Sequence, residues 1–146
     1  MAEQELPVPS LRYGLLCEKA LIEQDKVVSF IRIIDRININ AQGTGLPTQM
    51  PEVPVSFTIA WSWIGGLGNY RTRVVITGPG EARFEFPETS FYLSSLDGGQ
   101  NTIVTAQFPV KTPGMYWIAF ELDGESKSRI PLLIVYNPTQ LPGQRP

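Results

Sequence analysis

From Val53 to Trp63 the chain alternates without a break. Val53, Val55, Phe57, Ile59, Trp61 and Trp63 fall on one side, and Pro54, Ser56, Thr58, Ala60 and Ser62 on the other. Successive side chains of a strand point to opposite faces, so this pattern lines one face with apolar groups, whereas a helix would scatter the same six around its circumference. The segment therefore predicts a half-buried strand. Its oily face must be covered by a second layer, and that demand shapes everything else in the chain.

The same period returns along the sequence. Tyr70, Thr72, Val74 and Ile76 point inward with Arg71 and Arg73 outward, and Ala82, Phe84 and Phe86 point inward with Arg83 and Glu85 outward. Further inward sets are Val104, Ala106, Phe108 and Val110; Tyr116, Ile118, Phe120 and Leu122; and Ile130, Leu132, Ile134 and Tyr136. Asp123-Gly124 between the last two sets predicts a two-residue hairpin, because a type I′ turn needs positive φ at both central positions. Glycine- and proline-rich punctuation at Gly65–Asn69, Gly78–Gly80, Asp97–Gly99 and Pro113-Gly114 separates the others.

The N-terminal third alternates less cleanly. Tyr13–Cys17 reads as a strand, with Cys17 inside, and Glu18–Gln24 as a connection turning at Glu23-Gln24-Asp25. Val27–Ile39 carries Ile and Val on both faces and reads as one central or bent strand, with Asp35 or Arg36 held in a local ion pair. About eight to nine short strands with no alternating helices predict an all-β antiparallel sandwich. The expected organisation is a flexible N-terminal arm over 1–10, one sandwich domain over 11–136, and a Pro-rich disordered tail over 137–146.

A length of 146 residues suits one core. Twelve basic and fourteen acidic residues give a net charge of −2 with no basic run, which argues against nucleic acid and against a charged membrane surface. Apolar runs fall far short of the ~20 residues that cross a bilayer. The opening Met1-Ala2-Glu3-Gln4-Glu5 is acidic with no apolar stretch behind it, and Cys17 is the single cysteine, so a cytoplasmic location is expected.

Chemistry is hard to find. The chain has no histidine, which removes the usual triads, most zinc sites and the common general base near neutral pH. Cys17 reads as a small core hydrophobe. The four aspartates lie in separate turns, unlike a calcium loop. Glu52, Glu81, Glu85, Glu88, Glu121 and Glu125 read as solvated surface acids. Gly65-Gly66-Leu67-Gly68-Asn69 precedes a strand instead of the Lys-Ser/Thr and helix of a phosphate loop, so it reads as a hairpin tip. No catalytic, cofactor-binding or metal-binding residue and no cofactor is expected.

What remains is surface. Trp117 lies opposite the Tyr116–Leu122 inward set and is either an exposed aromatic anchor or covered by a terminal arm. Arg71 and Arg73 stand side by side, either guarding a sheet or offering an anion site. Trp61 belongs to the core, while Trp63, near its strand end, is expected to be partly open. These place a possible interaction surface at Trp117, Arg71, Arg73 and Trp63.

Leu15-Leu16-Cys17 followed by Ser29–Ile37, together with Pro113–Glu125 and its P-G-x-Y-x-x-x-x-x-x-D-G element, resembles a family of small bacterial proteins with a domain of unknown function. The resemblance covers most of residues 11–136. It implies an immunoglobulin-like sandwich and a bacterial cytoplasmic setting, and supplies no activity or functional residue. The expectation is a non-enzymatic interaction or scaffold domain that binds another protein or itself. The alternative is a carbohydrate- or small-ligand-binding module using Trp63 or Trp117.

Overall fold

The computed structural model describes residues 7–142 and arranges them as an immunoglobulin-like β-sandwich of ten strands. In chain order these are β1 (Ser10–Ile22), β2 (Val28–Ile33), β3 (Arg36–Gly43), β4 (Val53–Ile64), β5 (Gly68–Gly78), β6 (Ala82–Glu85), β7 (Thr89–Leu93), β8 (Gly99–Val110), β9 (Gly114–Leu122) and β10 (Glu125–Gln140). One sheet has the order β2-β1-β4-β8; the other runs β3-β10-β9-β5-β6, with β7 also paired to β5. The chain passes between sheets after β2, β3, β4, β7 and β8, the wiring of a sandwich and not of an up-and-down barrel.

Local chemistry sets several of these elements. Asp123 and Gly124 take φ of 50° and 80°, as the type I′ turn requires, and Glu125 pairs with Leu122 directly across it. Asp123 also fastens the turn to β5: its carboxylate accepts the Arg71 N–H at 2.8 Å, and its own N–H donates to the Arg71 carbonyl at 2.7 Å. Gly14 faces inward opposite Trp61, where an added Cβ would strike the Phe120 ring.

The centre of the core is a three-strand knot on one hydroxyl. Trp61 and Trp63 of β4 each donate an indole N–H to Thr72 Oγ1 at 2.9 Å, and Thr72 Oγ1 donates to the Glu121 carbonyl at 2.8 Å. A threonine hydroxyl has two acceptor sites and one donor, so its capacity is filled. The knot joins the two sheets through buried, fully paired polar groups. Around it, Trp61 packs on Phe120, and Phe108 packs on Phe57, Phe84 and Tyr116.

Four expectations are corrected. Val27–Ile39 is two edge strands in different sheets. Ile34 N–H still bonds the Leu16 carbonyl, while the Asp35 carbonyl already accepts Leu133 N–H, so the hand-over takes two residues. Its apolar residues on both faces belong to two differently oriented strands. Asp35 and Arg36 sit exposed at this crossover, outside any ion pair among the described residues; water solvates them. β3 then runs parallel to β10, the one departure from antiparallel pairing. Residues 137–140, expected in the tail, continue β10 and pair with Asn40–Gly43. Pro138 is tolerated because β9 has already ended at that level, leaving its other side open. The calls on 1–6 and 143–146 lie outside the described residues. β7 is an additional strand, too short between Pro87 and Asp97 to declare its period.

The fourth correction concerns β4. Ala60 and Ser62 face away from the core yet are 0% exposed, as is Cys17 on β1. The β1–β2 hairpin explains it. Phe30 pairs with Ala20 in the ladder, yet its ring meets Tyr13 at 5.4 Å between centroids. Seven residues of straight strand would put those positions roughly 23 Å apart. β1 therefore bends beyond Cys17 and carries the hairpin back over the outer face of its own sheet. A cleft of about 270 Å³ separates the hairpin tip at Lys26–Val28 from Arg12, Tyr13 and Asn101. Burial under this arm pushes the Cys17 thiol pKa up.

Candidate functional site

The structure brings Arg71, Arg73 and Trp117 onto one outer surface, that of the six-stranded sheet, through the pairings Arg73–Glu121 and Thr77–Trp117. Trp63 is not there. It is completely buried, and the knot on Thr72 holds it, because an indole N–H inside a core needs a partner and the far strand supplies one.

The charges of this face are spent on one another. Arg73 Nε donates to Glu121 at 2.7 Å and its Nη1 reaches Glu85 at 3.4 Å, while Arg83 bonds the other oxygen of Glu85 at 2.8 Å. The Glu121 hydrogen bond holds Arg73 more firmly protonated, and the Arg83 hydrogen bond, with the charge of Arg73, lowers the Glu85 carboxyl pKa. Glu121 is thus a buried, paired acid and not the solvated one expected, because it lies flat between strands with Arg73 beside it. Arg71 meets Glu88 at 3.5 Å. Trp117 is half-buried with the Arg129 guanidinium of the neighbouring strand 4.2 Å from its ring centroid.

At one end of the sandwich two clefts, of about 320 and 520 Å³, flank the Lys111–Pro113 loop. Glu52, Arg83 and Lys111 line the first with mixed charge over Phe84 and Tyr116. The Tyr116 hydroxyl donates to the Thr112 carbonyl at 2.7 Å, and burial pushes its pKa up, so it is a poor proton-transfer group. Among the described residues, no three His, Cys, Asp or Glu side chains gather where they could hold a metal ion.

The most distinctive surface is one the sequence reading missed. Of the ten exposed large hydrophobic residues described, five fall within residues 21–33: Leu21, Ile22, Val27, Ile31 and Ile33. All lie on the β1–β2 hairpin, and β2 is the last strand of its sheet. The opposite edge of the same sheet, β8, exposes Asn101, Thr105, Gln107 and Pro109 instead. Pro109 faces Pro54. Two opposed prolines fit only a non-hydrogen-bonded pair, where the missing donor would point to the open side, so β8 is a blunted edge. β2 has one such device, Arg32, at a left-handed φ of 56° and paired with Glu18 at 3.2 Å. It interrupts the edge but leaves the apolar side chains open. A signal was present: apolar residues at both parities in Leu21-Ile22 and Ile31–Ile34 cannot all be covered by one layer.

No curated protein matches this chain. Among solved structures, it is similar to part of a β-glucosidase from Listeria innocua in complex with glucose, at 8% identity and a TM-score of 0.49 over 91% of this chain. The chain spans only 17% of that enzyme's length. It is also similar to a CARDB domain from Pyrococcus furiosus in complex with di-metal ions, at 14% identity and a TM-score of 0.42, covering 92% of this chain and 95% of the other. No helix among the described residues is long and apolar enough to cross a membrane. A family of unknown function, DUF6941, matches residues 12–135, and the chain belongs to it.

Proposed function

We propose that this chain is a non-enzymatic interaction domain that docks another protein through the β1–β2 hairpin. One observation carries the reading: the hairpin that ends in the edge strand β2 concentrates half of the exposed large hydrophobic residues described, Ile31 and Ile33 on β2 itself, while the other edge of the same sheet is polar and proline-blocked. Leu21, Ile31 and Ile33 share one face of the ladder, and exposed apolar side chains on one face commonly mark an interaction site. The lone buried thiol of Cys17 fits a reducing compartment such as the cytoplasm. Carbohydrate or small-ligand binding has less support, since Trp63 is sealed in the core and the Trp117 face carries Arg129.

A photo-cross-linking amino acid placed at Ile33 in cells tests this, with Gln107 on β8 as the control position. The expected outcome is a discrete cross-linked protein species from Ile33 and none from Gln107. Equal, diffuse labelling from both positions contradicts the proposal.

A further inference from the structure

We infer that the cleft under the β1–β2 hairpin binds a small organic anion, one with a carboxylate or phosphate head and a short apolar body. The site uses neither Trp63 nor Trp117. It also stands apart from the docking reading, because Val28 and Phe30, which line it, lie on the face of β2 opposite Ile31 and Ile33. Its floor is a row in register across three strands: Tyr13 of β1 stands opposite Ser62 of β4, and Ser62 opposite Asn101 of β8. Directly opposed residues share a face of the sheet, and here it is the outer one, since the flanking Trp61 and Trp63 point into the core. The Tyr13 hydroxyl donates to Asn101 Oδ1 at 3.1 Å, which leaves both N–H donors of that amide without a protein acceptor among the described residues. Ser62 Oγ, in the middle of the row, is buried and unpaired, an arrangement that native interiors rarely keep.

A β-bulge brings the first cation to this floor. Leu11 pairs with Trp63 and Tyr13 with Ser62, so Arg12 is the extra residue of the β1–β4 ladder. Leu11 stays packed on the core, Tyr13 turns outward, and Arg12 joins it at the cleft. Burial raises the Tyr13 phenol pKa and the Arg12 charge opposes that rise, which sets the guanidinium close to the hydroxyl. Across the cleft, Lys26 holds a left-handed φ of 67° at the hairpin tip, where glycine would cost less. Neither cation forms an ion pair among the described residues, and no acidic side chain lines the cleft. The acids of the turn are held by the hairpin itself: Glu23 accepts the Ser29 hydroxyl at 2.9 Å, and Asp25 accepts the Val27 N–H at 3.2 Å. The cleft beside Arg83 differs, since Glu85 engages that cation and Glu52 shares the lining. A guanidinium fork and an ammonium suit a carboxylate or a phosphate, and the rings of Tyr13 and Phe30 with Val27 and Val28 wall the rest. At about 270 Å³ the space falls below the ~300 Å³ at which drug-sized pockets begin, so the apolar body is short.

Calorimetric titration of the full chain with phenyl phosphate, benzoate, benzyl alcohol and inorganic phosphate tests this at about 0.15 M salt. At least one of the two aromatic anions should bind saturably, one per chain, with a Kd below about 1 mM, and the tighter of the two identifies the head group. Benzyl alcohol lacks the charge and inorganic phosphate the apolar body, so each should bind at least about tenfold more weakly. Arg12→Gln and Lys26→Gln should each weaken the better anion by about fivefold or more, while Lys111→Gln, beyond the other end of β8, should leave it unchanged. Both replaced cations are exposed, so these variants should keep the wild-type near-ultraviolet circular dichroism, which separates lost binding from lost folding. Failure of both aromatic anions to bind overturns the inference. So does binding that Arg12→Gln and Lys26→Gln leave intact, or that benzyl alcohol or inorganic phosphate matches. None of these results bears on the Ile33 cross-link, so the docking reading stands or falls separately.

Discussion

Apolar and polar groups meet in two contrasting ways in this molecule, at the Thr72 knot and at the β1–β2 hairpin. At the knot every polar atom has its partner: two indole N–H groups and a carbonyl complete one hydroxyl, enclosed by Trp61, Trp63 and Phe120. On the hairpin, five large apolar side chains remain in water beside a balanced set of charges. The first arrangement is finished within one chain, whereas the second, on the proposed reading, is completed by a further surface. Aromatic residues therefore do not mark the working face here. Trp61 and Trp63 hold the sheets together, and the plain aliphatic Ile31 and Ile33 face outward.

The largest expected effect breaks the knot. Thr72→Val keeps the shape of the side chain but strands two buried indole donors, each costing ~1–3 kcal/mol. Urea unfolding should show a loss of about 3 kcal/mol or more. Next comes Trp117→Ala on the outer face of the six-stranded sheet. It removes a half-buried ring and its Arg129 partner and should cost about 1 kcal/mol in the same assay. If it also abolished the cross-link captured from Ile33, that face would be the working one and the contrast with the hairpin would be wrong.

The smallest effect is in pH. Glu85 has a lowered pKa, chiefly from its Arg83 hydrogen bond and then from the charge of Arg73. A depressed carboxyl contributes stability that is present above the unfolded value, about 4.3, and is lost as pH falls through the lower folded value. The urea midpoint should therefore hold from pH 7 to about 5 and decline below about 4, more gently in Glu85→Gln.

Much of the sandwich was legible in the chain. The alternation of Val53–Trp63 and the Asp123-Gly124 turn report local geometry, and local geometry is what period and turn chemistry encode. The inward sets of β5, β8, β9 and β10 followed for the same reason. What could not be read was which neighbour covers the second face of a strand. Trp63 seemed open because it lies near a strand end, but Thr72 comes from the other sheet and closes over it. Ala60 and Ser62 looked solvent-facing until the bend in β1 laid the hairpin across them. Residues 137–140 looked like tail because three prolines follow one another closely, yet one-sided pairing with β3 tolerates Pro138. The exposed hairpin was only partly legible: apolar residues at both parities marked the segment, but they read as deep burial, whereas Leu21 and Ile22 stay exposed on opposite faces of the ladder.

Amide hydrogen exchange, resolved to single residues and recorded on the protein alone and with the partner captured from Ile33, compares the two edges of the four-stranded sheet in one experiment. The account predicts that protection across Val28–Ile33 rises on adding that partner while that across Gly99–Val110 does not change. Equal behaviour of the two edges, whether both respond or neither does, would contradict it.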